Sequence, residues 1–91
     1  TSIEFFGPYS PSANSPQNAC LGYNTGRPYY SPTATLAVGV RIYDTYASVP
    51  TNGNNSWIVL KINTGVGAGK AVQINTSGYI TAIQDVDTNS C

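Results

Sequence analysis

The chain reads as an all-β protein, a small antiparallel sandwich or partly open barrel with an extended N-terminal arm. Three observations predict this. Trp57-Ile58-Val59-Leu60-Lys61-Ile62, Lys70-Ala71-Val72-Gln73-Ile74 and Tyr79-Ile80-Thr81-Ala82-Ile83 are short β-branched and aromatic runs separated by turn chemistry, the pattern of an antiparallel meander. The bend Asn75-Thr76-Ser77-Gly78 offers side chains that bond their own backbone and a glycine that tolerates positive φ. No segment keeps the 3.6-residue apolar period of a helix over three turns.

Taken in order, Ile3-Glu4-Phe5-Phe6 predicts a strand over residues 1–6. Gly7-Pro8-Tyr9-Ser10-Pro11 and Ser12-Ala13-Asn14-Ser15-Pro16 follow. Three prolines remove backbone donors and hold the chain extended, so residues 1–18 are expected to form an arm and 19–91 a single module. Residues 22–33 read as loop, with Tyr29-Tyr30 a brief strand. Leu36, Val38, Val40 and Ile42 alternate with Ala37, Gly39, Arg41 and Tyr43, which predicts a half-buried strand with Gly39 at a bulge. Val49-Pro50 and Asn52-Gly53-Asn54-Asn55 lead into Trp57. The expected core is Val38, Val40, Ile42, Trp57, Leu60, Ile62, Val72, Ile74 and Ile80, with Tyr43 and Tyr46 joining it. Residues 52–55 and 64–69 are expected at the surface.

Composition narrows the functional classes. In 91 residues there are 4 basic and 4 acidic side chains and no histidine, so charged residues make up only 9%. Such a surface offers no electrostatic handle for nucleic acid or anionic lipid. A hydrophobic fraction of 41% argues against disorder, and no apolar stretch approaches the length of a membrane span. The first residues do not read as a signal peptide, so export implies a signal already removed.

Cys20 and Cys91 belong to no Cys-x-x-Cys pair, and without histidine no zinc site can be completed around them. A disulfide is the simplest reading, closing a loop of roughly 70 residues and adding about 4 kcal/mol on the chain-entropy model. Two reduced, buried thiols are the alternative. A disulfide places the protein in an oxidising compartment, secreted or on the cell surface.

The run Tyr29-Tyr30-Ser31, Leu36-Ala37-Val38-Gly39, Ile42-Tyr43-Asp44, Pro50, Asn52-Gly53, Trp57, Ile74-Asn75 and Ser77-Gly78, bounded by Cys20 and Cys91, resembles a small Cys-bounded all-β module. Such modules occur in secreted, surface and fibre-like proteins of Bacteroidetes-type bacteria. The resemblance covers residues 20–91 and implies export to an extracellular structural or adhesive setting, with no reaction. Residues 1–19 lie outside the pattern, and a single copy departs from the tandem arrangement of those proteins.

Several motifs invite chemistry. Gly65-Val66-Gly67-Ala68-Gly69-Lys70 suggests a phosphate loop, but Thr64 stands where its first glycine belongs, and Ala71 where Ser or Thr should follow the lysine. Asp85, Asp87 and Asn89 alternate as the opening of a calcium loop does, yet Ser90 replaces the glycine and no bidentate glutamate follows. Ca2+ is therefore a minor expectation, with ligands from a neighbouring subunit needed to complete it. No catalytic residue is assigned. Without histidine no hydrolytic triad forms, and a carboxylate pair from Asp85 or Asp87 with Asp44 or Glu4 would need a walled cleft that a domain this small rarely builds. Lys61, inside an apolar run, raises the idea of a Lys–Asn amide crosslink, against the plainer reading of an outward-pointing lysine.

The 7 tyrosines remain. Tyr9, Tyr23, Tyr29 and Tyr30, in loops on a neutral, amide-rich surface, suit contact with sugars or with protein. Two functions compete. One is a subunit of an extracellular filament, in which Ile3, Glu4, Phe5 and Phe6 of one copy add to a sheet edge of the next, donor-strand fashion. The other is a secreted adhesin or carbohydrate-binding module. The expected partners are other copies of the chain, and glycans in the second case.

Overall fold

The computed structural model describes residues 3–23, 26–45 and 49–91. In chain order the elements are β1 (Ile3–Gly7), α1 (Pro16–Leu21), β2 (Arg27–Ser31), β3 (Tyr43–Thr45), β4 (Val49–Pro50), β5 (Ser56–Leu60), β6 (Ala68–Ile74) and β7 (Ile80–Asp87). Two antiparallel sheets result, ordered β1-β2-β3-β4 and β5-β6-β7, and they do not close into a barrel. The all-β sandwich anticipated from the three apolar runs is the fold observed.

Alternation explains which side of each strand is buried. Phe5 of β1 and Tyr29 of β2 point between the sheets and meet Ile58, Leu60, Val72, Ile74 and Ile80 from the other layer, with Leu36 and Ile42 closing the core. The three-stranded sheet is covered on its outer face as well. There α1 sets Ala19 and Cys20 against Val59 and Ala71, with Trp57 and Tyr23 alongside. Burial on both faces is why the run Trp57–Leu60 is apolar without interruption.

α1 departs from the extended linker expected here. Ser15 caps it, accepting from the Asn18 amide at 3.2 Å, Pro16 opens it, and the Gly22 amide ends it on the Asn18 carbonyl at 3.0 Å. Proline at the first position favours a helix start as well as a stiff spacer. Residues 3–18 are accordingly laid against the rest of the chain: β1 pairs with β2 from Ile3↔Ser31 to Gly7↔Arg27, and Ala13 bridges to Trp57. Thr1 and Ser2, the first two residues of the expected strand, lie outside the described residues.

The expected strand over residues 36–42 is not formed. The chain turns between Ala37 and Val40, with Gly39 at φ 96°, and then laces itself to the start of β7. The Ile80 amide reaches the Val40 carbonyl at 2.9 Å and the Ile42 amide reaches Gly78 at 2.8 Å. The turn breaks the alternation, so Leu36 and Ile42 are buried while Val38 is 61% exposed and Val40 half-buried. Ile62 lies beyond the end of β5 and is 58% exposed, and Trp57 is half-buried on the outer face instead of inside. Tyr43 also faces outward. Tyr46 lies outside the described residues.

Turn chemistry is as the sequence reads. Asn75 Oδ1 accepts from the Ser77 and Tyr79 amides at 2.9 and 3.0 Å, with Gly78 at φ 93°. Asn54 and Asn55 take the left-handed conformation that asparagine tolerates. Gly53, expected at the surface with them, is buried against the Ile74 carbonyl, where a Cβ would overlap backbone.

Candidate functional site

β1 does two jobs. It ends the four-stranded sheet by pairing with β2, and it holds the two sheets together through Phe6 and Lys61, which exchange backbone bonds of 2.7 and 3.0 Å. Of the four residues singled out in the arm, Ile3 packs on the core, Phe5 is in it, Phe6 is half-buried and Glu4 faces water. The seat is tight. A side chain at Gly7 would come within 2.8 Å of the Val59 carbonyl oxygen.

Beside Phe5, a cleft of about 480 Å³ opens at one end of the sandwich, lined by Leu36, Leu60 and the exposed Ile62, with Lys70 and Asp85 at its rim. These two form an ion pair across β6 and β7. Asp87 Oδ1 accepts from the Asn89 amide at 2.9 Å. Asp85 and Asp87 serve a strand pair and a turn, and no group of three His, Cys, Asp or Glu side chains is placed to hold a metal among the described residues. Lys70 belongs to β6, so the Gly65–Lys70 stretch is a strand connection without a helix for phosphate to sit on.

Lys61 is buried, against the expectation that it points into solvent. Its Nζ donates to the Gly65 carbonyl, lies 3.5 Å from Thr88 Oγ1 and stands 5.5 Å from the Tyr23 ring centre, pinning the 62–67 loop to the end of β7. No asparagine or carboxylate is among these neighbours, so the amide crosslink has no partner there. Cys20 and Cys91 are joined in a disulfide with Cα atoms 5.7 Å apart. No helix among the described residues is long and apolar enough to cross a membrane.

The four tyrosines marked as contact residues separate. Tyr29 is fully buried, donating to the Pro8 carbonyl at 2.7 Å under the Arg27 guanidinium, 4.8 Å from its ring centre. It touches no ligand from there. Burial pushes its hydroxyl up to about 12; Arg27 offsets part of that and Asp44 adds to it. Tyr23 is half-buried, its hydroxyl enclosed without a hydrogen-bond partner among the described residues, and burial raises its pKa too. Tyr9 is 77% exposed beside Arg27, which bridges to Asp44 at 2.9 Å.

Tyr30 alone lies on a row. Glu4, Tyr30 and Tyr43 stand directly opposite one another on β1, β2 and β3, on the face away from the core. Tyr30 Oη is 3.3 Å from Glu4 Oε2. Two residues before Tyr43, Arg41 lies 5.8 Å from the Tyr43 ring centre and 4.8 Å from that of Tyr79, its pairing partner. Its Nε donates to the Ser77 carbonyl at 2.8 Å. α1 covers the other sheet, so no described helix lies over this row.

No protein-family model, curated protein or solved structure matches the chain. The site has to be read from its own geometry. Arg41 and Tyr79 carry no signal of a site in the sequence, and Tyr43, expected in the core, instead pairs with Tyr30 on the outer face. The rings around Arg41 depend on its pairing with Tyr79, which lies 38 positions downstream (79 minus 41).

Proposed function

We propose that this chain is a structural subunit of an extracellular assembly, growing head-to-tail as copies exchange β1. The observation that carries this is the position of β1. It fills the core with Phe5, bonds on both edges, and is tied to the rest by residues 8–15, which include Pro8 and Pro11. A strand of this kind makes the same contacts whether it comes from its own chain or from a neighbour, so exchange is nearly neutral in contact energy. The balance is then set by the linker and by new packing between copies. Prolines stiffen the linker and favour its extended form. Once the Ala13–Trp57 bridge is given up, the backbone contact that exchange costs within the linker, eight extended residues span roughly 26 Å, which exceeds the two shorter dimensions of the molecule, 23 and 20 Å. The apolar cleft beside Phe5, with Ile62 exposed at its edge, is surface for a neighbour to cover.

The disulfide and the sparse charge suit an extracellular setting: neighbours pack with little desolvation of ions. Light scattering after size exclusion, followed by negative-stain microscopy over a range of concentrations, tests the reading. Growth of linear particles with concentration supports it. A monomer at every concentration defeats it, and a closed dimer would mean exchange that is reciprocal and does not propagate. The second reading, an adhesin-type binding module, is favoured by one observation, the aromatic row on the outer face of the four-stranded sheet.

A further inference from the structure

We infer that the row Glu4–Tyr30–Tyr43–Arg41–Tyr79 is a binding site for a neutral oligosaccharide. It stands independently of strand exchange, since four of its five residues lie outside β1.

The register builds the row. Residues opposite one another in antiparallel strands share a face, so Glu4, Tyr30 and Tyr43 project together, and Arg41 and Tyr79 join them through their own bridge. Phe5, Tyr29, Ile42 and Ile80, the alternate residues, are buried on the opposite side; on this side Glu4 and Tyr79 are exposed and Tyr30, Arg41 and Tyr43 half-buried. Tyr79 is 41% exposed. With strands about 4.8 Å apart and about 3.3 Å per residue along them, the row runs for roughly 15 Å. That suits a short chain of sugar rings better than a single one.

The chemistry selects the ligand class. Arg41 stands over one face of Tyr43 and one of Tyr79; the faces turned away from it, with the Tyr30 ring, offer apolar surface with a hydroxyl at the rim, which matches the C–H faces and hydroxyl edges of a pyranose. Arg41 supplies a planar donor fork and Glu4 a pure acceptor, placed toward opposite ends of the row. Their charges cancel, so the row favours neither an anionic nor a cationic partner. With no net charge to select an ion, the rings and their hydroxyls set the class, and they suit an uncharged, polyhydroxylated ligand. The site is also held in shape before any ligand arrives. Ser77 fixes Arg41 Nε, two rings flank the guanidinium, and Glu4 meets the Tyr30 hydroxyl. Little side-chain freedom is then lost on binding.

Linear tetrasaccharides of glucose, mannose, xylose and N-acetylglucosamine, titrated into the intact isotope-labelled chain, form the probe set, with a sulfated tetrasaccharide as the charged control. At least one neutral probe should shift resonances of Tyr30, Arg41, Tyr43 and Tyr79, leaving α1 unmoved. Tyr43→Ala and Tyr79→Ala should weaken that binding tenfold or more. Tyr43→Phe, which keeps the ring, should stay within threefold and guards against a loss caused by misfolding. No binding by any neutral probe, shifts confined to another face, or stronger binding of the sulfated control would each overturn the assignment. Because Tyr43 and Tyr79 lie off β1, failure here leaves the assembly reading standing, and the reverse also holds.

Discussion

Phe6 and Lys61 exchange both of their backbone hydrogen bonds, and that one pair joins the two sheets along the β1 corner of the sandwich. The opposite corner is laced by Gly39, Val40 and Ile80. β1 therefore belongs to both layers, and what happens to it decides whether the fold is complete in one chain.

Phe5, the buried side chain of that strand, should be among the most costly positions in the chain. Phe5→Ala removes a large ring from between the sheets and should destabilise by about 3–5 kcal/mol in denaturant unfolding. A change near zero would mean that β1 adds nothing to the core and that its place at the sheet edge is incidental.

Reducing the Cys20–Cys91 bridge, whose ends are 71 residues apart, should cost about 4 kcal/mol, seen as a lower denaturant midpoint with reductant or in the paired Ser variants. An unchanged midpoint would show that the loop it closes is already constrained in the unfolded chain.

Much of this fold was legible because it is local. The three runs over 57–83 became β5, β6 and β7 since each carries its own alternation and the Asn75–Gly78 turn carries its own hydrogen bonds. The stretch 36–42 misled for a physical reason. Its alternation is real, but Gly39 turns the chain, and Val38 ends in solvent because the segment laces β7 instead of joining a sheet. α1 was hidden by its own cap: Ser15-Pro16 looks like linker unless Asn18 and Gly22 are seen to close the turn. The aromatic row was harder still. Tyr30 stands out in the sequence as a loop tyrosine, but its neighbours Tyr43, Arg41 and Tyr79 come together only through long-range pairing.

Tyr23→Phe should leave stability unchanged or raise it by up to about 1 kcal/mol, because the hydroxyl it removes is enclosed without a partner among the described residues. The ring that faces Lys61 is kept. A loss above 1 kcal/mol in thermal or denaturant melting would reveal a hydrogen bond to that hydroxyl.

Alkaline pH should destabilise the fold through Tyr29. Its folded pKa, raised by burial to about 12, stands above the ordinary tyrosine value of 10. The folded state therefore holds the proton more tightly, so the stabilisation is fully present below pH 10 and is lost as pH rises toward 12. Tyr29→Phe should flatten the fall in stability across that window, and Tyr23, raised in the same direction, accounts for part of the slope that remains. An identical pH slope in the variant would place the alkaline loss elsewhere.

Whether β1 passes between copies is the central question, and the Glu4↔Tyr30 pair answers it most directly. Chains carrying Glu4→Cys are mixed with chains carrying Tyr30→Cys at concentrations where particles form, then oxidised gently and run on a non-reducing gel. Neither new cysteine has a cross-strand mate in its own chain, so a bond between the two requires β1 of one copy to lie against β2 of another. Strand exchange predicts a cross-linked species containing both variants, absent when either is oxidised alone. If the mixture yields no such species while the double variant closes its bond within single chains, β1 stays at home and the assembly account is wrong.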